Sequence, residues 1–344
     1  MNIIVLCGGL SAERDVSISS GTQISRALLG RGHDVVLIDL FFGYQGSYEE
    51  PTDIFGRGEE LPSFSVSESE PDLDAIKAAR KQDNNSLIGD NVLELCGAAD
   101  IVFLALHGDV GENGKIQAVL DIAGIKYTGS GYLGSALAMN KELSKKLFDA
   151  AGIKTPEGIT LRCGDTPYLD VGFPCVVKPC SGGSSVGTSI VESRADYHMA
   201  VEDAFRYEDN VIVERYIKGR EFTVGVLGSA AMPVVEILPK SGFYDYKNKY
   251  QSGLTVELCP APIDPEQTEK LQRIALAAFD ALRIDVYARM DCIAEESGDV
   301  YCLEMNTLPG MTPTSLIPQM GEAMGLGFVE LCERIIELSM EKYR

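Results

Sequence analysis

The sequence predicts an α/β protein whose first part contains a parallel sheet and whose later part has an α+β arrangement. Three observations support this prediction. Apolar runs alternate with helix-like stretches over roughly the first 130 residues, short strands follow from Asn140 onward, and two neighbouring segments near the C-terminal end alternate polar with apolar residues. A chain of 344 residues can form two or three domains.

Composition narrows the class of protein. Apolar residues make up 45% of the chain, and no apolar run approaches the roughly 18 residues of a membrane span. The net charge of −21 argues against nucleic acid or an anionic membrane as a partner, because both attract basic surfaces. Nine cysteines without a Cys-x-x-Cys motif predict reduced thiols and a cytoplasmic protein, and three scattered histidines argue against a zinc site. The opening MNIIVLCGG is too short for a signal peptide and predicts a buried strand.

The first domain is predicted over residues 1–130. Strands are expected at IIVLC, DVVLIDL and IVFLAL, and a helix at SISSGTQISRALLGRG. This alternation of strands and helices is typical of βαβ units with a parallel sheet. Residues 41–90 differ, being rich in Gly, Pro, Ser and acidic residues. They predict an extended, partly irregular surface segment with one helix near DLDAIKAARK.

Two further domains are predicted over 131–213 and 214–344. Asn140 is a suitable N-cap for the helix KELSKKLFDAAG in the second of these domains, and short strands are expected after it at FPCVVKP, TSIVES, VIVERYI and EFTVGVLG, the last of which lies in the third. In the third we expect hairpins, the tyrosine-rich stretch SGFYDYKNKYQSG, a long helix opened by Asp264 and Pro265, and a C-terminal helix from about Gly327.

The most informative segments are VYARMDCIA and VYCLEMNTLPG, which both read as strands and are separated by a Ser-Gly turn. A hairpin centred on that turn places Asp291 opposite Glu304 and Arg289 opposite Asn306. Two carboxylates and an amide oxygen are the ligands that Mg²⁺ prefers, and the arginine could stabilise developing negative charge. A solvated hairpin face without a ligand is the alternative interpretation.

Three motifs point to functions that their context excludes. GSGYLG at 129–134 fits a dinucleotide fingerprint, but the acid at the required distance, Asp149, falls within a predicted helix and not at a strand end. GSSVG at 183–187 fits a serine-hydrolase elbow, but a strand follows it and the only later histidine is His198. GENGK at 111–115 lacks the remaining positions of a phosphate-binding P-loop.

The glycine-rich segment KPCSGGSSVGT lies between two predicted strands. Its glycines let backbone N–H groups approach an anion, and Ser184 and Ser185 add hydroxyl donors, so the segment suits a flap over phosphates. Lys178 and Lys141 could supply positive charge to those phosphates. A flexible linker between strands is the alternative interpretation.

Over nearly its whole length the chain resembles the D-alanine:D-alanine ligases of the ATP-grasp superfamily. The matching motifs occur in order: GGLSAERDVS, LALHGDVGENG, YTGSG, ALAMNK, VVKPCSGGSSVG, VIVERYIKGREFTV, FYDYKNKY, ARMDC and LEMNTLPGMTPTSL. The resemblance implies an ATP-grasp fold preceded by a Rossmann-like N-terminal domain. It also implies ATP-dependent activation of one D-alanine as an acyl phosphate, attack by the amine of a second, and a role in peptidoglycan precursor synthesis. A homodimer is expected on the same basis.

The resemblance also implies roles for individual residues. The nucleotide would be bound by Lys141, Lys178 and Lys249 at the phosphates, Ser184 and Ser185 in the flap, Glu214 at the adenine and Glu221 at the ribose. Two Mg²⁺ or Mn²⁺ ions would be held by Asp291, Glu304 and Asn306, and the oxyanion by Arg289 and the backbone N–H of Gly310. The amino acids would be bound by Glu13 in a network with Ser184 and Tyr250, by His107 near the donor, and by Ser315 and Lys249 at the acceptor carboxylate.

Alternatives within and outside this family stay open at the level of sequence. A ligase that joins D-alanine to D-serine is one, and a D-lactate ligase is disfavoured because relatives that use lactate lack a tyrosine at position 250. A regulatory ATP-binding module without catalysis is another, although Arg289, Glu13 and the expected metal ligands are all present. The departures from the family pattern, at Asn113, Asn140 and Cys180, do not affect residues assigned to chemistry.

Overall fold

The computed structural model describes residues 1–58, 61–62, 64, 66–67, 71–80, 85–165, 171–183, 186–240, 255–312 and 314–344. The described helices are α1 Arg14–Gly30, α2 Leu73–Ala79, α3 Val92–Gly97, α4 Asp109–Glu112, α5 Lys115–Ile122, α6 Tyr132–Met139, α7 Lys141–Ala150, α8 Arg194–Ala204, α9 Pro265–Ala281, α10 Leu316–Ala323 and α11 Phe328–Glu341. The described strands are β1 Asn2–Cys7, β2 Asp34–Asp39, β3 Ile101–Leu104, β4 Gly158–Arg162, β5 Cys175–Pro179, β6 Ser189–Val191, β7 Asn210–Arg215, β8 Arg220–Leu227, β9 Ala230–Pro239, β10 Thr255–Leu258, β11 Tyr287–Ala294 and β12 Val300–Asn306. The predicted tyrosine-rich stretch lies outside the described residues.

The N-terminal sheet is parallel, as the sequence predicts, and its strand order is β2-β1-β3. Its central strand β1 is buried along almost its whole length, which explains why it reads as an uninterrupted apolar run. Ser17 of α1 accepts a hydrogen bond from the N–H of Gly8 and donates one to the carbonyl of Ala105, which ties the start of α1 to the ends of β1 and β3. Glu13 and His107 therefore lie at the carboxyl edge of this sheet, where ligands bind in folds of this type.

The segment 41–90 is largely irregular where it is described, and its predicted helix is present as α2. The Asp72 carboxylate caps this helix by accepting hydrogen bonds from Asp74 N and Ala75 N at 3.1 and 3.0 Å. Arg80 then holds the following turn by bonding to the carbonyls of Ser86 and Ile88. Local caps and turns order this part of the segment, while Tyr44 and Ile54 are buried in the core of the N-terminal domain.

A four-stranded antiparallel sheet of order β4-β7-β5-β6 follows. The strands within 175–215 agree with the predicted ones, but helix α8, which packs against β5 and β6, was not predicted. Its buried residues Tyr197, Ala200, Val201 and Ala204 have helical spacing and join the core of this sheet. That spacing was available in the sequence, but the apolar stripe is narrow and lies between charged residues.

A five-stranded antiparallel sheet of order β10-β9-β8-β11-β12 forms the C-terminal part. Helix α9 packs on it and begins as predicted, with Pro265 in its first turn and the Asp264 carboxylate accepting from Gln267 N at 2.8 Å. Helix α11 follows Gly327, again as predicted.

The N-terminal sheet and the C-terminal part share a hydrophobic core. Residues of β1 and β3 belong to the same buried cluster as residues of β9, α10 and α11, including Val235, Met320 and Ile335. The predicted domain boundaries stay a prediction, and β7 continues across the proposed limit at 213.

All nine cysteines are free and seven of them are buried, which agrees with the predicted reduced thiols. Among the described residues, no helix has both the length and the apolar character needed to span a membrane.

Candidate active site

The hairpin of β11 and β12 has the register that the sequence predicts. Asp291 lies opposite Glu304 and Arg289 lies opposite Asn306. The strands are joined by a turn in which Gly298 adopts a φ of +87° and donates to the carbonyl of Glu295 at 2.9 Å. Because directly opposed residues share a face of the sheet, the four polar side chains converge.

A β-bulge interrupts this hairpin immediately beside the site. The register shifts after Asp291, so that Cys292 pairs with Cys302 and Leu303 is the extra residue. Cys302 points into the core, whereas Leu303 and Glu304 are both partly exposed and line a cavity. The bulge therefore places an apolar and an acidic side chain next to each other on the site face, which a regular strand cannot do.

Arg289 and Asp291 form a bidentate ion pair. Arg289 Nε donates to Asp291 Oδ1 at 2.9 Å and Nη2 to Oδ2 at 2.8 Å. Thr223 on the neighbouring strand β8 donates to Asp291 Oδ1 at 2.7 Å. Both members of the pair are less than 10% exposed. The sequence predicts separate roles for these two residues, and the geometry shows that each also orients the other.

Lys141 joins the hairpin to the glycine-rich segment. Its Nζ lies 3.1 Å from Glu304 Oε2 and donates to the carbonyl of Gly182 at 2.6 Å. Burial alone would lower the pKa of Lys141, but the Glu304 carboxylate outweighs burial and raises it. Lys141 is therefore a cation held inside the site by a carboxylate.

Two cavities meet at this lysine. The first, here called the Glu13 cavity, is lined by residues that include Glu13, His107, Lys141, Arg289, Glu304, Asn306, Gly310 and Ser315. The second, here called the Glu214 cavity, is lined by residues that include Lys141, Lys178, Glu214, Glu221, Asp291 and Glu304. Lys141, Glu304, Gly182 and Gly183 belong to both. The structure thus brings together the described residues that the sequence singles out, in two compartments with a common wall.

Glu214 is a buried carboxylate of the second cavity that bonds two lysines. It is 3% exposed and is bonded by Lys178 at Oε1 and by Lys145 at Oε2, the latter at 2.7 Å. Burial raises the pKa of this carboxyl, but the two lysines outweigh burial and leave it below its usual value. Burial lowers the pKa of Lys145, the neighbouring Lys178 adds to the decrease, and Glu214 opposes it.

His107 is buried in the wall of the Glu13 cavity. Its Nδ1 lies 2.9 Å from the carbonyl of Leu308, which can only accept, so Nδ1 carries the proton. Nε2 lies within hydrogen-bond distance of the hydroxyl of Ser20, at 3.1 Å. Glu112 lies 3.7 Å from Nδ1. Burial raises the pKa of Glu112, nearby Glu13 adds to the increase, and His107 opposes it.

Ser315 lies at the start of α10 within a compact hydroxyl cluster. Its Oγ accepts from Thr312 N at 3.0 Å and lies 2.7 Å from Thr312 Oγ1. A Cβ at position 310 would come within 2.8 Å of the same Oγ, so only glycine fits there. This packing brings the backbone of Gly310 next to the Ser315 hydroxyl.

Some predicted site residues cannot be compared with the structure, since Ser184, Ser185, Lys249 and Tyr250 lie outside the described residues. Sequence reasoning missed Glu112, Glu257 and Thr312, which line the Glu13 cavity. It also missed Lys145 and Thr223, which bond the site residues Glu214 and Asp291. Lys145 carried a usable signal, because it follows Lys141 by four residues on the same helix and therefore faces the same side. Thr223 carried none, because only sheet pairing brings it to Asp291.

The oxygen ligands expected for a divalent metal are suitably arranged. Asp291 and Glu304 face each other, and Asn306 follows on the same face, with its Oδ1 accepting from Leu308 N at 3.0 Å. A carboxylate has about four lone-pair positions, of which Arg289 and Thr223 use three at Asp291. Within the described residues, no three His, Cys, Asp or Glu side chains form a metal cluster, so the donor set is two carboxylates and one amide. These hard oxygens fit Mg²⁺ or Mn²⁺.

A parallel-sheet domain followed by two antiparallel sheets, with a cleft lined by lysines and carboxylates between them, defines the ATP-grasp class. Family comparison is more specific. The model for the D-ala D-ala ligase N-terminus matches residues 2–130, and the model for the D-ala D-ala ligase C-terminus matches residues 150–337. The chain belongs to the D-alanine–D-alanine ligase family.

Individual relatives cover the whole chain. The D-alanine–D-alanine ligase of Pediococcus pentosaceus is 45% identical over 343 residues, or 98% of this chain and 97% of that protein. The structure of D-alanine–D-alanine ligase from Bacillus anthracis complexed with ATP has a TM-score of 0.75 at 31% identity and covers 99% of this chain and 98% of that one. The VanG D-Ala:D-Ser ligase from Enterococcus faecalis has a TM-score of 0.74 at 30% identity and covers 98% and 99%.

Proposed function

We propose that the protein joins two molecules of D-alanine to form D-alanyl-D-alanine for peptidoglycan precursor synthesis, with conversion of ATP to ADP and phosphate. The observation that carries this proposal is the meeting of two cavities at Lys141 and Glu304 in a chain that matches both family models. One cavity suits a nucleotide and the other suits small zwitterions. A phosphoryl group can then pass from one compartment to the other at their common wall.

In this proposal ATP occupies the Glu214 cavity. Glu214 serves the adenine and Glu221 the ribose. Lys141, Lys178 and Lys249 contact the phosphates, and Ser184 and Ser185 lie in the flap above them. The apolar side chains of Val176, Ile190 and Leu303 in the cavity wall support the binding of a flat base.

Asp291, Glu304 and Asn306 would hold two Mg²⁺ or Mn²⁺ ions against the phosphates. When bound, such ions neutralise phosphate charge and polarise the transferred group. Lys141 already pairs with Glu304, which supports a shared position for a cation and phosphate oxygens there.

The two amino acids would occupy the Glu13 cavity. Glu13 attracts the ammonium group of the donor D-alanine, with Ser184 and Tyr250 in the same network, and His107 lies beside it. Ser315 and Lys249 receive the carboxylate of the acceptor. The contacts of His107 with Leu308 and Ser20 support a role in the shape and hydrogen bonding of the donor site.

The reaction would run in two steps. A carboxylate oxygen of the donor attacks the γ-phosphorus, ADP leaves, and a D-alanyl phosphate forms. The amine of the acceptor then attacks the carbonyl carbon, and phosphate leaves with its bonding electrons. Arg289 and the N–H of Gly310 stabilise the intervening oxyanion, where a lost donor typically costs about 10² to 10³ in rate. Asp291 supports this by holding the guanidinium in place.

Purified protein with ATP and Mg²⁺ tests the proposal. We expect ADP release that depends on D-alanine, together with a product of the mass of the dipeptide. A chain that binds ATP without releasing ADP in the presence of D-alanine would instead be a non-catalytic ATP-binding module.

D-Serine as acceptor is a second candidate, because the VanG D-Ala:D-Ser ligase resembles this chain over almost its full length. The same assay with equal concentrations of D-alanine and D-serine separates the two. Preferential formation of D-alanyl-D-serine would favour the second candidate, and D-lactate should give the least product.

Assembly and location are inferred from the family. We expect a homodimer in the cytoplasm, without nucleic acid or membrane as partner. Light scattering of the purified chain tests the oligomeric state, and cell fractionation tests the location.

A further inference from the structure

Lys145 takes no direct part in the proposed chemistry, yet it is one of two lysines on a single buried carboxylate. It lies one turn after Lys141 in α7 and donates to Glu214 Oε2 at 2.7 Å and to the carbonyl of Pro156. Lys178 bonds the other oxygen, Oε1. The side chains of Lys145, Glu214 and Lys178 are only 15%, 4% and 12% exposed. Two positive charges and one negative charge are thus buried together.

The three residues differ in how they face the nucleotide cavity. Glu214 and Lys178 are among its lining residues, whereas Lys145 is not among the described residues that line it. Lys145 therefore contacts Glu214 from behind and Lys178 contacts it from the side of the cavity. A nucleotide could draw away Lys178 and would leave Lys145 where it is.

The different positions of Lys145 and Lys178 affect the free energy of phosphate binding. A phosphate competes with Glu214 for the charge and the N–H donors of Lys178, so phosphate binding favours the exchange of the Glu214 bond for one to the phosphate. If Lys178 were the sole counter-ion, that exchange would leave a buried carboxylate uncompensated, which is strongly unfavourable. With Lys145 in place, Glu214 keeps one cation throughout. The long, flexible stem of Lys178 allows the exchange without a movement of the backbone.

We propose that Lys145 is a positioning residue for nucleotide binding, which neutralises Glu214 from the side away from the cavity so that Lys178 can be transferred to the phosphates of ATP. This inference rests on the proposed binding of ATP in the Glu214 cavity. It assigns Lys145 an effect on the phosphates that it does not itself contact, and it predicts that the effect depends on the charge of Glu214.

Titration calorimetry with the full chain compares ATP and adenosine, because adenosine presents the base and ribose but no phosphate. Lys145→Met should weaken the binding of ATP by about tenfold or more and leave the binding of adenosine nearly unchanged. Lys145→Arg, which keeps the charge, should restore most of the affinity for ATP. The matched control is Lys146→Met, because Lys146 is the next residue of the same helix and is exposed with its own partner Glu142.

A second variant isolates the charge of Glu214. In Glu214→Gln there is no carboxylate to retain Lys178, so adding Lys145→Met should cause little further loss of ATP affinity. If the two substitutions are additive, the proposal is wrong. Steady-state kinetics should show a raised KM for ATP in Lys145→Met with the KM for D-alanine unchanged.

Folding and the parent proposal are checked separately. Thermal melts identify a variant that does not fold. If Lys145→Met does not fold, the affinities for ATP and adenosine are compared in Lys145→Gln, whose side chain is still a hydrogen-bond donor. Equal losses of ATP and adenosine affinity would overturn the inference, because they would indicate a damaged cavity. Wild-type protein that binds no ATP would instead refute the proposed function.

Discussion

Glu304 combines two interactions that make its charge difficult to replace. It faces Asp291 across the hairpin and pairs with Lys141 at 3.1 Å. The side chain nevertheless lies on the cavity face, outside the core of the sheet. Removal of the Glu304 carboxylate should therefore lower the reaction rate more than it lowers the stability of the fold.

We expect Glu304→Gln to lower turnover by about 10³ or more while the thermal unfolding temperature changes little, because charge at the transferring phosphoryl group would be lost. ADP release and circular dichroism measure the two effects. Glu296→Gln, at the exposed turn of the same hairpin, is the control and should keep full activity. Normal turnover in Glu304→Gln would refute the proposed metal role.

The pKa of Glu214 links this site to the stability of the protein at low pH. Lys178 and Lys145 lower it below its usual value of 4.5, so the folded state holds a proton on Glu214 less readily than the unfolded chain does. The resulting stabilisation is fully present above about pH 4.5 and is lost as the pH falls through the lower, folded-state pKa.

Glu214→Gln should lower the free energy of unfolding by about 3 kcal/mol at pH 7, because two buried lysines lose their partner. The difference from wild type should shrink below pH 4.5. Urea unfolding between pH 7 and pH 3 measures both values. Glu192→Gln, an exposed acid next to strand β6, is the control. A difference that does not vary with pH would contradict this account.

At the scale of elements, helix α7 connects local capping to the active site. Asn140 Oδ1 accepts from Leu143 N at 3.0 Å at its start, and the helix carries both Lys141 and Lys145. Helix α9 has the same kind of cap, at Asp264, but contributes no residue to either cavity among those described. The cap of α9 is therefore a control for the cap of α7.

Asn140→Ala and Asp264→Ala should each lower the free energy of unfolding by about 1 kcal/mol. Only Asn140→Ala should also raise the KM for ATP, because fraying of the first turn displaces Lys141. Unfolding curves and initial rates measure these effects. Equal changes in KM for both variants would show that the cap does not position the lysine.

Much of the element structure could be predicted because it rests on local signals. The register of Arg289 with Asn306 follows from strand alternation and one turn, and Pro265 with Asp264 determines a helix start. The bulge at Leu303 could not be predicted in this way. Whether a bulge is stable at this position depends on contacts with β8 and with the cavity, which lie outside the hairpin.

At the scale of the molecule, the N-terminal sheet and the C-terminal part depend on each other for burial. Their shared core includes Ile4 and Phe103 from one part and Val235, Met320 and Ile335 from the other. The central sheet differs, because its buried cluster draws only on residues between Leu161 and Val213.

A fragment of residues 1–130 should therefore lack fixed tertiary packing, because its apolar surface would face water. Near-ultraviolet circular dichroism and amide dispersion test this against the full chain. A fragment of residues 151–216 should keep more of its structure, since its core is its own. Sharp, dispersed signals from the first fragment would contradict the shared core.

The sequence by itself determined the parallel N-terminal sheet, the hairpin register, the family resemblance and the residues to which roles are assigned. These depend on periodicity, turn chemistry and motifs, which are properties of neighbouring residues. Only the tertiary structure decided which charges pair. Glu214 is shared by Lys145 and Lys178, which lie far from it in the sequence, and Arg289 bonds its near neighbour Asp291, because the low-polarity interior requires each buried charge to find a partner.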